Sequence, residues 1–353
     1  MTQDVKDTTV RAHTSEMPDD VLISVRGLKK HFAMKKKTRK RDAVVVKAVD
    51  DISFDIKKGE TFGLVGESGS GKSTVARLLL RAYELTDGQV LFRREDGGVI
   101  DVSDLSNAEM RPLRREMQMI FQDPYSSLNP RMTLLELIGE PMQLHGYGPE
   151  EIRKRVAELL QLVGLRAEYA LRYPHAFSGG QRQRICIARA LALNPSFIAA
   201  DEAVSALDVS VAAQNINLLQ DLQEQFGLTY LFITHDLGMV EHISDRIAVM
   251  YLGRVVEMGT TDELFARPRH PYTEALLRAV PQPDPRKRSR EKRGALKGEV
   301  PDAANPPSGC AFHPRCPYAT DLCATTAPEL REIEGRTVSC HFGDTLDLEG
   351  VGE

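Results

Sequence analysis

Two rhythms of apolar residues run along the chain. VLISVRGL (21–28) and AVVVKAVDDISFDI (43–56) are rich in Val and Ile, alternate in part and end at a KKG break at 57–59. This pattern predicts antiparallel strands separated by the basic run KKKTRKR at 35–41. Thr61–Val65 (TFGLV) is short, nearly all apolar and followed by GESGSGKST, after which VARLLLRAY has the length and period of a helix. A strand, a glycine loop and a helix are therefore expected in that order. Between about 122 and 174 the period turns helical, with LLELIGEPMQLHG and EEIRKRVAELLQLVGL and no β-branched runs, which predicts a helical insert. From Ser178 helix and strand alternate through RQRICIARALAL, SFIAAD, VAAQNINLLQDLQEQFG, LTYLFITHD and RIAVMYLGRVVEMG, the signature of a mostly parallel sheet with helices on its faces. One further helix is expected over 261–280.

The segments outside this pattern are polar. Residues 1–20 are acidic and unpatterned and read as a disordered lead-in, and the prolines and charges of 281–309 read as a linker. A cysteine-rich extension over 310–342 and a tail over 343–353 follow. No internal repeat is present, so the chain holds one nucleotide-binding unit. With 353 residues, 42% hydrophobic and 27% charged, it has the balance of a globular protein with more than one core. No apolar run reaches the roughly 18 residues of a membrane span, and the start lacks the basic-then-apolar order of a secretory signal, so a cytosolic chain is expected. A net charge of -4 exerts no overall pull on nucleic acid, and the basic runs at 35–41 and 286–293 read as solvated loops.

Three short stretches carry candidate chemistry. Residues 66–73, GESGSGKS, fit G-x4-G-K-[ST]: glycines turn backbone N–H groups toward a phosphate, Lys72 reaches the outer phosphates and the Ser73 hydroxyl can ligate Mg²⁺. FIAADE (197–202) is an apolar strand ending in two carboxylates. Beside bound phosphates Asp201 can hold the Mg²⁺ shell while Glu202, pointing differently, polarises an attacking water; without the phosphate loop it would read as a solvated strand end. FSGGQ (177–181) opens a helix with a serine and two glycines, forming either a second anion site, serving the nucleotide of a neighbouring subunit, or a plain helix cap.

Together these elements resemble the ATP-binding cassette family, a P-loop NTPase fold of a RecA-like parallel core, an antiparallel β subdomain and a helical subdomain. The matches are GESGSGKST as Walker A (Gly66, Ser68, Gly69, Ser70, Gly71, Lys72, Ser73 and Thr74) and FIAADE as Walker B with its glutamate. Ser178, Gly179, Gly180 and Gln181 match the signature, Gln122 in IFQDP the Q-loop, Asp208 ending SALD the D-loop, and His235 in ITHD the switch histidine. The resemblance covers about 21–280, with the helical subdomain at about 122–178. It implies ATP and Mg²⁺ as ligands, catalysis by Glu202, His235 and Gln122, Mg²⁺ held by Ser73, Gln122 and Asp201, and a head-to-tail dimer sandwiching ATP between Lys72 of one subunit and Ser178 of the other. Phe32 falls where the family stacks an aromatic on adenine, the other reading being a core aromatic at a strand end. Ala203 departs from the proline usual after Walker B; an altered loop stiffness with retained hydrolysis is expected.

DEAVSALDVSVAAQNINLL, RHPYTEALL (269–277) and the tail GCAFHPRCPYATDLC further resemble the ATP-binding subunits of dipeptide/oligopeptide permeases, nearer to the second of their two cassette types. That resemblance implies a heterodimer with a second ATPase subunit, docked at the cytoplasmic face of the membrane on two transmembrane permease subunits fed by an extracytoplasmic solute-binding protein. The competing class, a soluble non-transport cassette ATPase acting on nucleic acid or ribosomes, would call for a basic stripe and duplicated cassettes. Cys310, Cys316, Cys323 and Cys340 are spaced C-x5-C-x6-C-x16-C, without the tight C-x2–4-C hairpin of structural zinc sites. Looser loops can wrap a 4Fe-4S iron–sulfur cluster, to which the permease resemblance also points; zinc or four free thiols are the alternatives. A proline-rich tail with no evident core of its own is expected to need such a metal staple.

Overall fold

The computed structural model describes residues 17–34, 44–205, 207–280 and 298–351; the first sixteen residues of the lead-in expected over 1–20, both basic runs and the first part of the expected linker lie outside the described residues. In chain order the strands are β1 (Val21–Met34), β2 (Val44–Lys57), β3 (Thr61–Val65), β4 (Asp87–Arg93), β5 (Val99–Asp101), β6 (Met117–Ile120), β7 (Phe197–Asp201), β8 (Thr229–Thr234), β9 (Arg246–Tyr251), β10 (Arg254–Thr260), β11 (Arg331–Ile333) and β12 (Arg336–Val338). The helices are α1 (Lys72–Leu79), α2 (Asn107–Leu113), α3 (Pro124–Ser127), α4 (Leu134–Leu144), α5 (Pro149–Leu162), α6 (Gly179–Ala190), α7 (Val209–Phe226), α8 (Leu237–Ile243), α9 (Thr261–Ala266), α10 (Pro271–Ala279) and α11 (Asp321–Thr325).

The main sheet runs β11-β12-β10-β9-β3-β8-β7-β6, with β6, β7, β8, β3 and β9 parallel. Every residue of β3, β7 and β8 is buried, as a parallel strand covered on both faces requires. Successive side chains of each strand serve opposite cores. Ile198, Ala200, Tyr230 and Phe232 join the helical side with α4–α7, while Phe197, Ala199, Leu231 and Ile233 join α1 and the smaller sheet. That smaller sheet is antiparallel, in the order β2-β1-β4-β5. Its first pair matches the alternation in the sequence; β4 and β5 went unread because DGQVLFR begins polar and VID spans only 3 residues.

The expected helical insert is built from α4, capped by Thr133 with Glu136, and α5, opened by Pro149. The single helix expected over 261–280 is instead α9 and α10. Pro268 and Pro271 interrupt it, and Glu257, fully buried on β10, accepts the backbone N–H groups of Arg269 (2.7 Å) and His270 (3.0 Å) in the break.

The cysteine-rich segment was expected as a small appended extension; instead its β12 pairs antiparallel with β10 and β11 with β12, continuing the main sheet. It also brings an aromatic core. Phe312 is 1% exposed, with its ring centroid 5.3 Å from Tyr251, 5.3 Å from Tyr272 and 5.8 Å from His270. The 4Fe-4S cluster expected on Cys310, Cys316, Cys323 and Cys340, with zinc as its alternative, is corrected accordingly. Among the described residues no three or more His, Cys, Asp or Glu side chains are grouped so that they could hold a metal ion, and all five cysteines are free. The thiols are engaged locally. Cys310 and Cys316 pack on the main core, Cys323 Sγ lies 3.7 Å from the Thr320 hydroxyl, and Cys340 Sγ accepts the Phe342 N–H at 3.4 Å. Cysteine spacing does not reveal this docking, because the apolar partners of the segment lie in β9, β10 and α10.

Phe312→Ala should therefore destabilise the protein by about 3 kcal/mol through the cavity left among Tyr251, Tyr272 and His270. A lowered urea midpoint is the expected outcome; an unchanged midpoint would show that the tail is held by something else.

Candidate functional site

The loop after β3 is shaped by what its backbone must approach. A Cβ at Gly66 would stand 2.2 Å from the Met250 carbonyl oxygen, and one at Gly71, where φ is +106°, 2.2 Å from that of Ala48. No other residue type fits either place. Gly71 also caps α1 without a side chain, so the first N–H groups of the helix are left for a ligand in the loop. Lys72 is 4% exposed and folds back, its Nζ donating to the carbonyl oxygens of Gly66 (2.7 Å) and Glu67 (2.9 Å). Burial pushes its pKa down, while the carboxylates of Glu202, Asp201 and Glu67 push it back up.

A cleft of about 550 Å³ opens over this loop. Glu67, Ser68, Gly69, Gly71, Lys72, Ser73 and Thr74 form its floor, Gln122, Glu202 and His235 one wall, and Val46, Ala48, Leu276 and Ala303 an apolar end. Ser73 Oγ donates to Asp201 Oδ1 at 2.7 Å, and burial, the largest influence, raises the pKa of that carboxyl. A hydroxyl, a desolvated carboxylate and the nearby Gln122 amide make an all-oxygen donor set, so these residues fit Mg²⁺. Glu202 turns the other way. Gln122 Nε2 donates to its Oε2 at 2.5 Å, and His235 Nδ1 lies 3.5 Å from its Oε1. The backbone of Glu202 is left-handed, with φ +48°, and its N–H donates to the Ile233 carbonyl oxygen at 2.9 Å. Such a conformation costs on the order of 1 kcal/mol or more in a non-glycine residue and here aims the carboxylate across the cleft. Ala203 beside it is buried.

Other residues singled out in the sequence stand apart from the cleft. Ser178 caps α6, accepting the Gln181 N–H at 3.4 Å while its own N–H donates to Gln181 Oε1 at 3.1 Å. Gly179 faces Leu207 and Tyr125, and a Cβ on Gly180 would meet Val211 of α7 at 2.3 Å. Asp208 caps α7 through the Val211 N–H at 3.0 Å, and Val209 next to it is 84% exposed. Phe32 pairs across the strands with Val46, which lines the cleft, but its own ring packs edge-on against Tyr83 at 5.7 Å. Tyr272, whose hydroxyl accepts the Glu67 N–H at 2.9 Å, and Arg315, which grips the Glu67 carboxylate, escaped the sequence reading. The only signal of the first was the stretch RHPYTEALL, and the second was hidden between cysteines.

Comparison with known proteins agrees with this geometry. Residues 49–205 match the family described as ABC transporter, and residues 256–323 the oligopeptide/dipeptide transporter, C-terminal region. YkfD of Bacillus subtilis (strain 168) is 55% identical over 91% of this chain and 95% of its own length. The oligopeptide transport ATP-binding protein AppF of the same organism is 52% identical over 92% and 98%. Among solved structures, the ATP-binding cassette MJ0796, a dimer bound to ADP and Pi, superposes with a TM-score of 0.59 at 31% identity, covering 68% of this chain and 99% of that one. The chain thus belongs to the ATP-binding, ATP-hydrolysing subunits of the oligopeptide/dipeptide ABC transporters.

Proposed function

We propose that the cleft holds Mg²⁺–ATP and that this chain supplies half of each of two composite ATP sites in a peptide importer. One observation carries the proposal: the phosphate loop, Glu202, Gln122 and His235 share a single cleft, with Asp201 bonded to Ser73 on its floor, while the Ser178–Gln181 helix start lies outside it. A phosphate grip that cannot reach its own chain's nucleotide is suited to that of a facing subunit. In this mechanism Lys72 leaves the loop carbonyls for the outer phosphates, and the N–H groups at the start of α1 bind the phosphate oxygens. Glu202 takes the proton of the attacking water, which Gln122 and His235 orient from either side of its carboxylate, and His235 contacts the γ-phosphate. Mg²⁺, held by Ser73, Asp201 and Gln122, supplies neutralisation of the phosphate charge. Ser178, Gly179, Gly180 and Gln181 close on the partner's γ-phosphate, with Asp208 beside the dimer axis and Phe32 next to the base-proximal end.

We assign residues 21–280 to the cassette, with 122–178 as its helical part, 281–309 to a linker, 310–342 to the cysteine-rich extension and 343–353 to a tail. A second, related ATPase subunit completes a heterodimer. Two transmembrane permease subunits dock on the groove beside the Q-loop, where Phe121 and Tyr125 are 47% and 60% exposed and Arg182 of α6 lies 4.3 Å over the Tyr125 ring. That cation–π contact ties the docking groove to the signature helix. An extracytoplasmic solute-binding protein delivers di- or oligopeptides or related solutes, and the chain works at the cytoplasmic face of the membrane. Among the described residues no helix is long and apolar enough to cross a membrane, which fits a peripheral subunit.

In the assembled transporter Glu202→Gln should slow hydrolysis by about 100-fold with ATP binding retained, since the amide keeps the shape but cannot take a proton. Lys72→Ala should instead weaken ATP binding itself. Turnover assays with the partner's equivalent site disabled check both, and near-normal turnover of Glu202→Gln would remove it as the base.

The purified chain should sediment as a monomer or weak dimer without nucleotide, since each site lacks its opposite signature until ATP bridges two cassettes. A tight, active dimer of this chain alone, without ATP, would argue for a homodimeric machine.

A further inference from the structure

The phosphate loop carries its own negative charge. Glu67 is the second residue of GESGSGKS and lines the cleft that takes the triphosphate, so a free carboxylate there would repel the ligand the loop exists to bind. That charge is met from the far end of the chain. Arg315 Nη1 donates to Glu67 Oε2 at 2.7 Å and Nη2 to Oε1 at 2.9 Å, a fork-on-fork pair between residues 248 apart. The Arg315 side chain is 4% exposed and that of Glu67 26%. The guanidinium also reaches the Tyr251 hydroxyl at 3.4 Å.

The backbone of Glu67 is held from the same side. Its N–H donates to Tyr272 Oη at 2.9 Å, and its carbonyl oxygen accepts from Lys72 Nζ at 2.9 Å. Tyr272 packs against Tyr251 at 4.7 Å between ring centroids, and both rings contact Phe312, three residues before Arg315. The Glu67 peptide is thereby fixed in an orientation that turns its carbonyl toward Lys72 and draws its carboxylate toward the tail.

We propose that Arg315 is a positioning residue for the ATP site, neutralising and pinning Glu67 so that the phosphate loop presents no uncompensated negative charge to the triphosphate. The cysteine-rich segment is then a working part of the nucleotide site. The proposal rests on ATP occupying that cleft.

Charge compensation and simple bracing predict different outcomes. Binding of a fluorescent ATP analogue with Mg²⁺ to the purified full-length chain reads the difference, with Lys72→Ala as the control that the cleft is the site. Arg315→Met should weaken binding by about tenfold by exposing the Glu67 carboxylate to the phosphates. Arg315→Met combined with Glu67→Gln should recover to within about threefold of wild type, since the repelling charge is gone. Glu67→Gln alone should lower the thermal midpoint, because it strands a buried guanidinium. Arg315→Lys should stay close to wild type, and Arg315→Gln carries the expectation of the methionine variant should that one be insoluble. Unchanged affinity in Arg315→Met and Arg315→Gln, or a double variant no better than Arg315→Met, would overturn the proposal. Loss of the Lys72→Ala effect would instead displace the ATP site.

Discussion

The site depends on one geometric constraint: β6, β7, β8 and β3 are parallel and in register, so their carboxyl ends finish along one line. Val65 stands beside Thr234, Asp201 beside Ile233, and Ile120 beside Ala200. Just past these ends come Gly66, His235, Glu202 and, two residues beyond Ile120, Gln122; the last three line the cleft above the loop that Gly66 opens, although up to 113 positions separate them. Parallel pairing requires crossover connections on the faces of the sheet, and the helices that supply them bury both faces. Hydrophobic burial thus holds the charged groups in position without any of them contributing to the core.

That position is costly for the groups themselves. Lys72 loses most of its hydration, Asp201 is pushed toward its neutral form, and Glu202 takes a left-handed backbone conformation. A triphosphate with its cation relieves the first two, because it supplies the missing counter-charges at once. The unliganded loop manages in the meantime by folding Lys72 onto its own carbonyl oxygens. The electrostatic costs at Lys72 and Asp201 are therefore ones that a ligand can relieve, the arrangement expected of a preorganised electrostatic site.

The C-terminal segment shows the same economy. It contributes two short strands to the edge of the main sheet and one aromatic ring to a pocket walled by Tyr251, Tyr272 and His270. Arg315 follows from that docking, since the ring and the guanidinium leave the same turn of chain. A tail that looks too small to fold becomes part of the domain by borrowing a core already present.

Local signals made much of this legible from residues alone. The glycine loop, the carboxylate pair at 201–202, the SGGQ helix start and the histidine after LTYLFIT each stand out within a few adjacent residues, and the structure places Lys72, Ser73, Gln122, Glu202 and His235 around one cleft, with Asp201 bonded to Ser73. Elements that exist only through partners were not legible. β11 and β12 have 3 residues each and are strands because β10 lies beside β12 and β12 beside β11. The break between α9 and α10 depends on a carboxylate from β10. Four clustered cysteines suggested a metal, because spacing records only separation along the chain and not the aromatic partners that make a staple unnecessary. The residue types and short spacings determined the phosphate loop, the carboxylates and the family to which they belong. Only the tertiary structure decided that Arg315 and Tyr272 hold Glu67, because a contact across more than 200 residues leaves no periodicity in the sequence.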